Sequence, residues 1–136
     1  MIDVENAVFS TVSTALRAEY PNMNPLSGAR QPAPEDLPVA VGMEMDNSTY
    51  QRTLDSSGTE NHATVMWQWE VYSNKMPGKK AECKAIMEII DAQMIGMGFL
   101  RTGCGPMTVP NADASIYRIV ARYRGTISKD KVIYRR

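Results

Sequence analysis

Two carboxylates, two thiols and one imidazole are the side chains whose positions in this sequence could support chemistry. Glu44 and Asp46 alternate with apolar residues, which predicts that both lie on one face of a strand. Such a pair could act as acid and base or hold a metal ion, but on an exposed strand it is more often simply solvated. Cys83 and Cys104 lie 21 residues apart and His62 is the single histidine, so the spacing does not fit a zinc site.

The glycine-rich stretches and the nucleophilic residues match no catalytic or nucleotide-binding motif. Gly103-Cys104-Gly105-Pro106 lacks the six-residue glycine spacing and the Lys-Ser/Thr pair of a phosphate loop. Gly96-Met97-Gly98 closes a predicted helix rather than opening one. Neither cysteine adjoins a histidine motif, and no serine sits in a nucleophile elbow. We therefore expect a protein that is not an enzyme and holds no metal and no cofactor.

The length and composition of the chain are typical of one globular domain. The 136 residues predict a single domain spanning residues 1–136. The sequence contains no apolar run of membrane-spanning length and no signal peptide, so we expect a cytoplasmic protein without membrane contact. Two cysteines are too few for a disulfide framework. We expect Cys83 to be buried in a helix and Cys104 to lie in a loop, with a disulfide between them as the minor alternative.

The charges are distributed unevenly along the chain. Residues 1–70 hold ten acids and three bases, whereas residues 71–136 hold five acids and twelve bases, so balances of −7 and +7 cancel. The two halves could pair within one domain, or the acidic surface of one copy could meet the basic surface of the next. The second arrangement joins two different patches and generates a ring or a filament, with complementary charge setting its register.

A strand over residues 62–72 is the element that the rest of the chain is predicted to cover. Apolar residues, including Trp67 and Trp69, alternate there with more polar ones, which is typical of a strand with one buried face. We expect both tryptophans to lie over the core, and each indole N–H to have a hydrogen-bond partner.

One amphipathic helix is predicted before this strand in the sequence, and a second one after it. The first spans residues 4–20 and has an apolar stripe at helical spacing. The second runs from about Lys79 to Met97 and ends at Gly98. Lys79 and Lys80 oppose the dipole at the start of that helix, which favours a role toward an acidic partner surface.

The remaining strands are shorter or more mixed in character. Alternation predicts a strand at residues 39–46 and a long strand at residues 115–127. Another strand begins at residues 99–102 and is expected to be interrupted by the glycines that follow. Residues 132–134 could form a short edge strand or pair with a neighbouring subunit.

Two polar stretches are predicted to be loops. Residues 21–38 contain six prolines or glycines, which favours an irregular segment with a role in protein contact. Residues 47–61 form the tip of an extended hairpin that could reach a neighbour. The whole pattern predicts an α+β fold: a mostly antiparallel sheet of about four strands, two helices packed on one face, and a long protruding hairpin loop.

Basic residues are concentrated on the last long strand. Arg118, Arg122 and Arg124 share one face with aliphatic neighbours, which suits a protein–protein surface. Nucleic-acid binding is the rival interpretation, because more lysines and arginines follow near the end of the chain. A net charge of zero weakens that rival.

In the order of its elements and in the residue composition of each, essentially the whole chain resembles the tail terminator, or head–tail joining, proteins of long-tailed bacteriophages and prophages. The resemblance is carried by the first helix, the polar hairpin, the Lys-rich start of the second helix and three sequence segments: Pro38-Val39-Ala40-Val41, Glu70-Val71-Tyr72-Ser73-Asn74 and Tyr117-Arg118-Ile119-Val120-Ala121-Arg122-Tyr123-Arg124. It implies a structural protein that forms a homo-hexameric ring, caps the growing tail tube and presents a face to the head connector.

The resemblance also implies partners and a location. The partners are further copies of the chain, the tail tube protein and the head-completion or connector protein, with DNA only as the genome passing through the ring. The location is the tail or neck of the virion, assembled in the cytoplasm of the bacterial host. The alternatives are a head-closure or other neck component of the same virion, and a stand-alone α+β ligand-binding domain or enzyme.

The resemblance and the charge layout together select a set of interface residues. We expect the three arginines of the last long strand to meet acids of an adjacent copy, and the hairpin to contact the tail tube or a neighbour. Charge reversal at Arg122 is expected to weaken assembly. The candidate interface residues are Glu44, Asp46, Tyr50, Arg52, Leu54, Asp55, Glu60, Lys79, Lys80, Arg118, Arg122 and Arg124.

Overall fold

The structure, a computed structural model, has the α+β architecture that the sequence predicts. It describes residues 3–21, 23, 25–27, 38–49, 62–75, 77–106, 116–128 and 130–134. Within these residues the elements follow in the order α1 (Glu5–Glu19), β1 (Leu26–Ser27), β2 (Val39–Thr49), β3 (His62–Ser73), α2 (Lys79–Met97), β4 (Leu100–Pro106), β5 (Tyr117–Ser128) and β6 (Ile133–Tyr134).

One mostly antiparallel sheet contains all the described strands, in the order β1-β2-β3-β5-β4. β2, β3, β5 and β4 pair antiparallel, and β3 is central as expected. β5 is inserted between β3 and β4, although it follows both of them in the sequence. β6 pairs with the end of β5 on the same side as β4, which confirms the predicted short edge strand.

The core lies between the sheet and the two helices, which both pack on one sheet face. Val8, Val12 and Leu16 of α1 are buried in the same apolar cluster as Ile86 and Ile90 of α2. The alternate residues of β3 and β5 that face the helices complete this cluster. Each fully buried aliphatic side chain contributes about 1.5–3 kcal/mol to folding, so the two stripes hold the helices firmly on the sheet.

The two tryptophans form a row of stacked rings with a phenylalanine of α1. The ring centroids of Phe9 and Trp69 are 5.9 Å apart, and those of Trp67 and Trp69 are 5.8 Å apart. Gly42 pairs with Trp69 across the sheet, and a Cβ at position 42 would lie 2.5 Å from that ring. Among the described residues neither indole nitrogen has a hydrogen-bond partner, which corrects the expectation from the sequence. Stacking and core packing orient both rings.

Several element boundaries differ from the prediction. β2 continues to Thr49, into the segment expected to be a loop, and β4 continues through the glycines to Pro106. A register shift between Arg101 and Gly103 lets β4 follow β5 with one extra residue. β1 lies inside the stretch predicted to be irregular. The tip of the predicted hairpin, residues 50–61, lies outside the described residues.

Candidate functional site

A β-bulge separates the two carboxylates that the sequence places on one face. Glu44 pairs with Trp67 on the side of the helices, whereas Asp46 pairs with Met66 on the opposite side. The extra residue, Met45, shifts the alternation of side chains by one position. The prediction that Glu44 and Asp46 share a face is therefore wrong, and they do not form a paired-carboxylate site.

Glu44 instead joins two carboxylates at the start of α1. Oxygens of Asp3, Glu5 and Glu44 all lie within 4.8 Å of one another. Burial raises the pKa of Glu44 to about 7, and the negative charges of Glu5 and Asp3 add to the rise. Three carboxylates could hold a hard cation, but a proton on Glu44 also relieves their mutual repulsion. The sequence contains no signal for this cluster, because the contact is between distant elements.

A connected row of polar side chains crosses β3 and β5 on the sheet face away from the helices, which we call the helix-free face. Glu70 accepts hydrogen bonds of 2.7 Å from Gln68 Nε2 and from the Tyr72 hydroxyl, and it forms an ion pair with Arg118. The Arg118 guanidinium also lies 5.6 Å from the centroid of the Tyr72 ring. Burial, with the hydrogen bond to Glu70, raises the pKa of Tyr72 to about 12.

The three arginines of β5 differ in what they contact. Arg118 is paired with Glu70 and mostly buried, so it is not part of the exposed basic surface. Arg122 is exposed and its Nε donates to Gln68 Oε1 at 3.1 Å. Arg124 is exposed and has no hydrogen bond or ion pair with any residue that the structure describes. Arg122 and Arg124 therefore form the exposed basic patch of the helix-free face.

The other candidate interface residues are distributed over three places. Asp46 is exposed on the helix-free face, on the far side of the sheet from β5. Lys80 is exposed and Lys79 half-buried in the first turn of α2. Five of the predicted residues lie outside the described part of the chain: Tyr50, Arg52, Leu54, Asp55 and Glu60.

The sheet has two open edges in the part of the chain that the structure describes. β1 pairs with Val41 and Gly42, and among the described strands the rest of β2 pairs with β3 alone. β4 likewise pairs only with β5. We call these the β2 edge (residues 43–49) and the β4 edge (residues 100–106). Unpaired strand edges offer backbone donors and acceptors to another strand.

The two cysteines are free thiols in contrasting surroundings. Cys83 is fully buried, and its thiol donates a hydrogen bond to the carbonyl oxygen of Tyr117, with Sγ 3.4 Å from that oxygen. Burial raises the pKa of the Cys83 thiol to about 12, which makes it a poor nucleophile. Cys104 is exposed on β4 rather than in the predicted loop.

A cleft of about 220 Å³ lies beside β4, where α2 approaches the sheet edge. Asp91 on its wall accepts a hydrogen bond of 2.9 Å from the Tyr123 hydroxyl and pairs with Arg101 at 3.3 Å. Its volume is below the range of about 300–1,000 Å³ that is usual for ligand pockets. The sequence did not reveal this cleft, because its walls come from separate elements.

No protein-family model matches the chain, and no curated protein matches it in sequence. None of the described helices is long and apolar enough to cross a membrane.

Proposed function

We propose that this chain is a structural subunit of a phage or prophage tail. Copies of it form a homo-hexameric ring that terminates the tail tube and joins it to the head connector. The observation that carries this proposal is the charge layout of the sheet: exposed Asp46 lies at the β2 edge, and exposed Arg122 and Arg124 lie beside the β4 edge. The resemblance in element order supplies the tail as the setting.

Opposite charges on opposite sides of one subunit favour contact between two different patches of neighbouring copies. Such head-to-tail contacts close into a ring when the rotation between copies divides a full turn. The sheet, with both helices packed on one of its faces, provides the body for this role. In the proposed assembly the genome passes through the ring, and the two rims contact the tail tube protein and the connector.

The absolute mass in solution tests the ring. A hexamer of the 15.1 kDa chain has a mass of about 90 kDa. Multi-angle light scattering at low ionic strength is expected to give that species. Raising the salt concentration to about 1 M is expected to shift the population toward smaller species, because charges at the surface are screened. A species of 15.1 kDa under all conditions would contradict the proposal.

The effect of the chain on tail tube growth is the second test, since it distinguishes a tail terminator from the alternatives. Addition of the purified chain to elongating tubes is expected to stop their growth and to leave a ring at one end in electron micrographs. Rings that bind the connector but not the tube would favour the head-closure alternative. A monomer that binds neither would favour a stand-alone ligand-binding domain, with the cleft beside β4 as its site.

A further inference from the structure

Met45 is a large apolar side chain that the fold leaves exposed at a bulge. It is the extra residue of β2 between Glu44, on the side of the helices, and Asp46, on the helix-free face. Met45 is 46% exposed, although methionine is usually buried in a folded protein. Methionine is flexible and polarisable, so it is frequent at surfaces that bind other proteins. The bulge therefore presents an apolar side chain directly before an acidic one.

The cleft beside β4 has an apolar floor and room for one such side chain. Met87 of α2 and Ile119 of β5 line it, and both are largely buried. The carboxylate of Asp91 on its wall is already paired with Tyr123 and Arg101. An apolar cavity of about 150 Å³ admits a benzene molecule, and the volume of this cleft is about 220 Å³. The cleft is thus suited to a long aliphatic side chain.

The charges that line the cleft cancel one another. Arg101 is paired with Asp91 at 3.3 Å. Lys84 and Glu88 lie one helical turn apart on α2, and both line the cleft. An apolar side chain can therefore enter between these groups without leaving one sign of charge uncompensated.

The other face of the sheet carries the positive charge at this end of β4. Leu100 directly precedes Arg101 and pairs with Arg124 on the helix-free face. Leu100 is 43% exposed, and Arg124 is exposed as well. Because consecutive residues of a strand face opposite sides, the cleft and Arg124 lie on the two sides of β4. Two consecutive residues of a partner can therefore reach both places, an apolar one the cleft and an acidic one Arg124.

We propose that Met45 of one copy inserts into the cleft beside β4 of the next copy, and that Asp46 of the same bulge meets Arg124 on the other side of that strand. The occupant of the cleft is a second copy of this chain. Complementary charge sets the register of the contact, and burial of Met45 and Leu100 contributes affinity. This inference rests on the proposed ring and specifies the contact that builds it.

Crosslinking through the native Cys104, which lines the cleft, tests the contact. In Met45→Cys a new thiol takes the place of the inserted side chain. A short bismaleimide, which joins two thiols, is expected to give a ladder of covalent oligomers on a denaturing gel. β3 and β5 separate β2 from β4 within one copy, so each crosslink in the ladder joins two copies.

Two control variants show whether the ladder reports this contact. Cys104→Ser in the Met45→Cys background is expected to abolish it, because Cys83 is buried and cannot replace the thiol of the cleft. Arg17→Cys places a thiol on the exposed side of α1 and is expected to give no ladder. Circular dichroism of each variant verifies that it is folded before the reagent is added.

Variants of Met45 without a thiol measure the contribution of its side chain. Met45→Ala removes the group that fills the cleft and is expected to raise the dissociation constant of each contact about tenfold. Met45→Leu keeps an apolar side chain of similar size and is expected to assemble as the wild type does. The matched control is Val132→Ala, because Val132 is 48% exposed but takes no part in the proposed contact. Light scattering over a dilution series measures all three.

The mass of the unmodified chain separates failure of this inference from failure of the proposed function. A ring without a ladder from Met45→Cys, or a ring that Met45→Ala leaves equally stable, would overturn the inference and leave the ring intact. A monomer without a ladder would overturn both. Equal ladders from Met45→Cys and Arg17→Cys would show random collision and would also overturn the inference. An equal loss of assembly in Met45→Ala and Val132→Ala would do the same.

Discussion

The guanidinium of Arg118 pairs with the carboxylate of Glu70 across β3 and β5, and only 14% and 13% of the two side chains are exposed. The partners are 48 residues apart in the sequence. Glu70 is further surrounded by donors from Gln68 and Tyr72. The opposite charges of the pair neutralise each other within the helix-free face. The intact pair therefore contributes little net stability, whereas loss of one partner leaves the other charge mostly buried and unpaired.

Removal of one partner of this pair is expected to destabilise the fold. Arg118→Met leaves the Glu70 carboxylate mostly buried without its cation, which costs about 3 kcal/mol in the free energy of unfolding. Urea denaturation measures the loss. The double variant Arg118→Met, Glu70→Gln is expected to recover most of it. Arg124→Met, on the exposed part of the same strand, should change stability by less than about 0.5 kcal/mol. An equal loss in both single variants would contradict the role of burial.

A side chain at position 42 is expected to disturb the stacked tryptophans. Gly42→Ala puts a Cβ 2.5 Å from the Trp69 ring, so the ring or the strand must move. The cost is about 1–3 kcal/mol, measured by thermal unfolding and by a change in tryptophan fluorescence. The matched control is Gly96→Ala on α2, where an added Cβ meets nothing within 4 Å. Gly96→Ala should stabilise the helix by up to about 1 kcal/mol. If the control also destabilised the protein, the loss in Gly42→Ala could not be assigned to the contact with the Trp69 ring.

Stability is expected to fall as the pH rises from about 4.5 to about 7 because of Glu44. Its pKa is raised from 4.5 in the unfolded chain to about 7 in the fold, so the folded state binds the proton more tightly. The stabilising contribution is complete below pH 4.5 and disappears as the pH passes about 7. With allowance for solvent screening the loss is about 1 kcal/mol.

Unfolding by urea at about pH 5 and about pH 8 measures this dependence. Glu44→Gln is expected to remove the decline, whereas Asp46→Asn changes a charge on the other face of β2 and should leave it in place. A decline that persists in Glu44→Gln would assign it to another group.

The two thiols are expected to react at very different rates. Cys104 is exposed and should react with a thiol reagent within the time of mixing, whereas Cys83 should react only when the chain opens. Absorbance with a chromogenic disulfide is expected to show one equivalent at once and the second after denaturant is added. Rapid reaction of both thiols in the native state would show that α2 opens readily.

Charge exchange between the edges is expected to weaken and then restore assembly. Arg124→Asp places like charges at the proposed contact between neighbouring copies and should raise the dissociation constant of each contact about fivefold, which corresponds to about 1 kcal/mol. Adding Asp46→Arg to the same chain restores opposite charges and should recover the ring. Light scattering at low salt measures both. If the double variant stays smaller than the wild type, the two residues do not meet.

The sequence predicts the elements of this fold better than their connections. Helical spacing located α2 from Lys79 to Met97, and alternation located β3 around its two tryptophans. These signals are local, because the periods of helices and strands appear within a few turns or residues. The α+β class and the antiparallel sheet followed from the element order.

The contacts of the candidate site depend on register and could not be derived from local patterns. The bulge at Met45 appears only when β2 is aligned with β3, and it reverses the face of every residue beyond it. The ion pair of Glu70 with Arg118 and the approach of Glu44 to α1 likewise depend on which strands are neighbours. The uneven charge of the two halves was visible in the sequence, but its placement at opposite edges was not.

The position of β5 between β3 and β4 has a consequence for synthesis on the ribosome. β3 ends at Ser73 and β5 ends at Ser128, so translation at about 5–20 residues per second leaves roughly 3–11 s between them. During that interval the edge of β3 that later pairs with β5 has no partner strand. The sheet face that carries Trp67 and Trp69 is then only partly covered. A polypeptide released before β5 is complete would keep this apolar surface exposed, and we expect a chaperone to bind it.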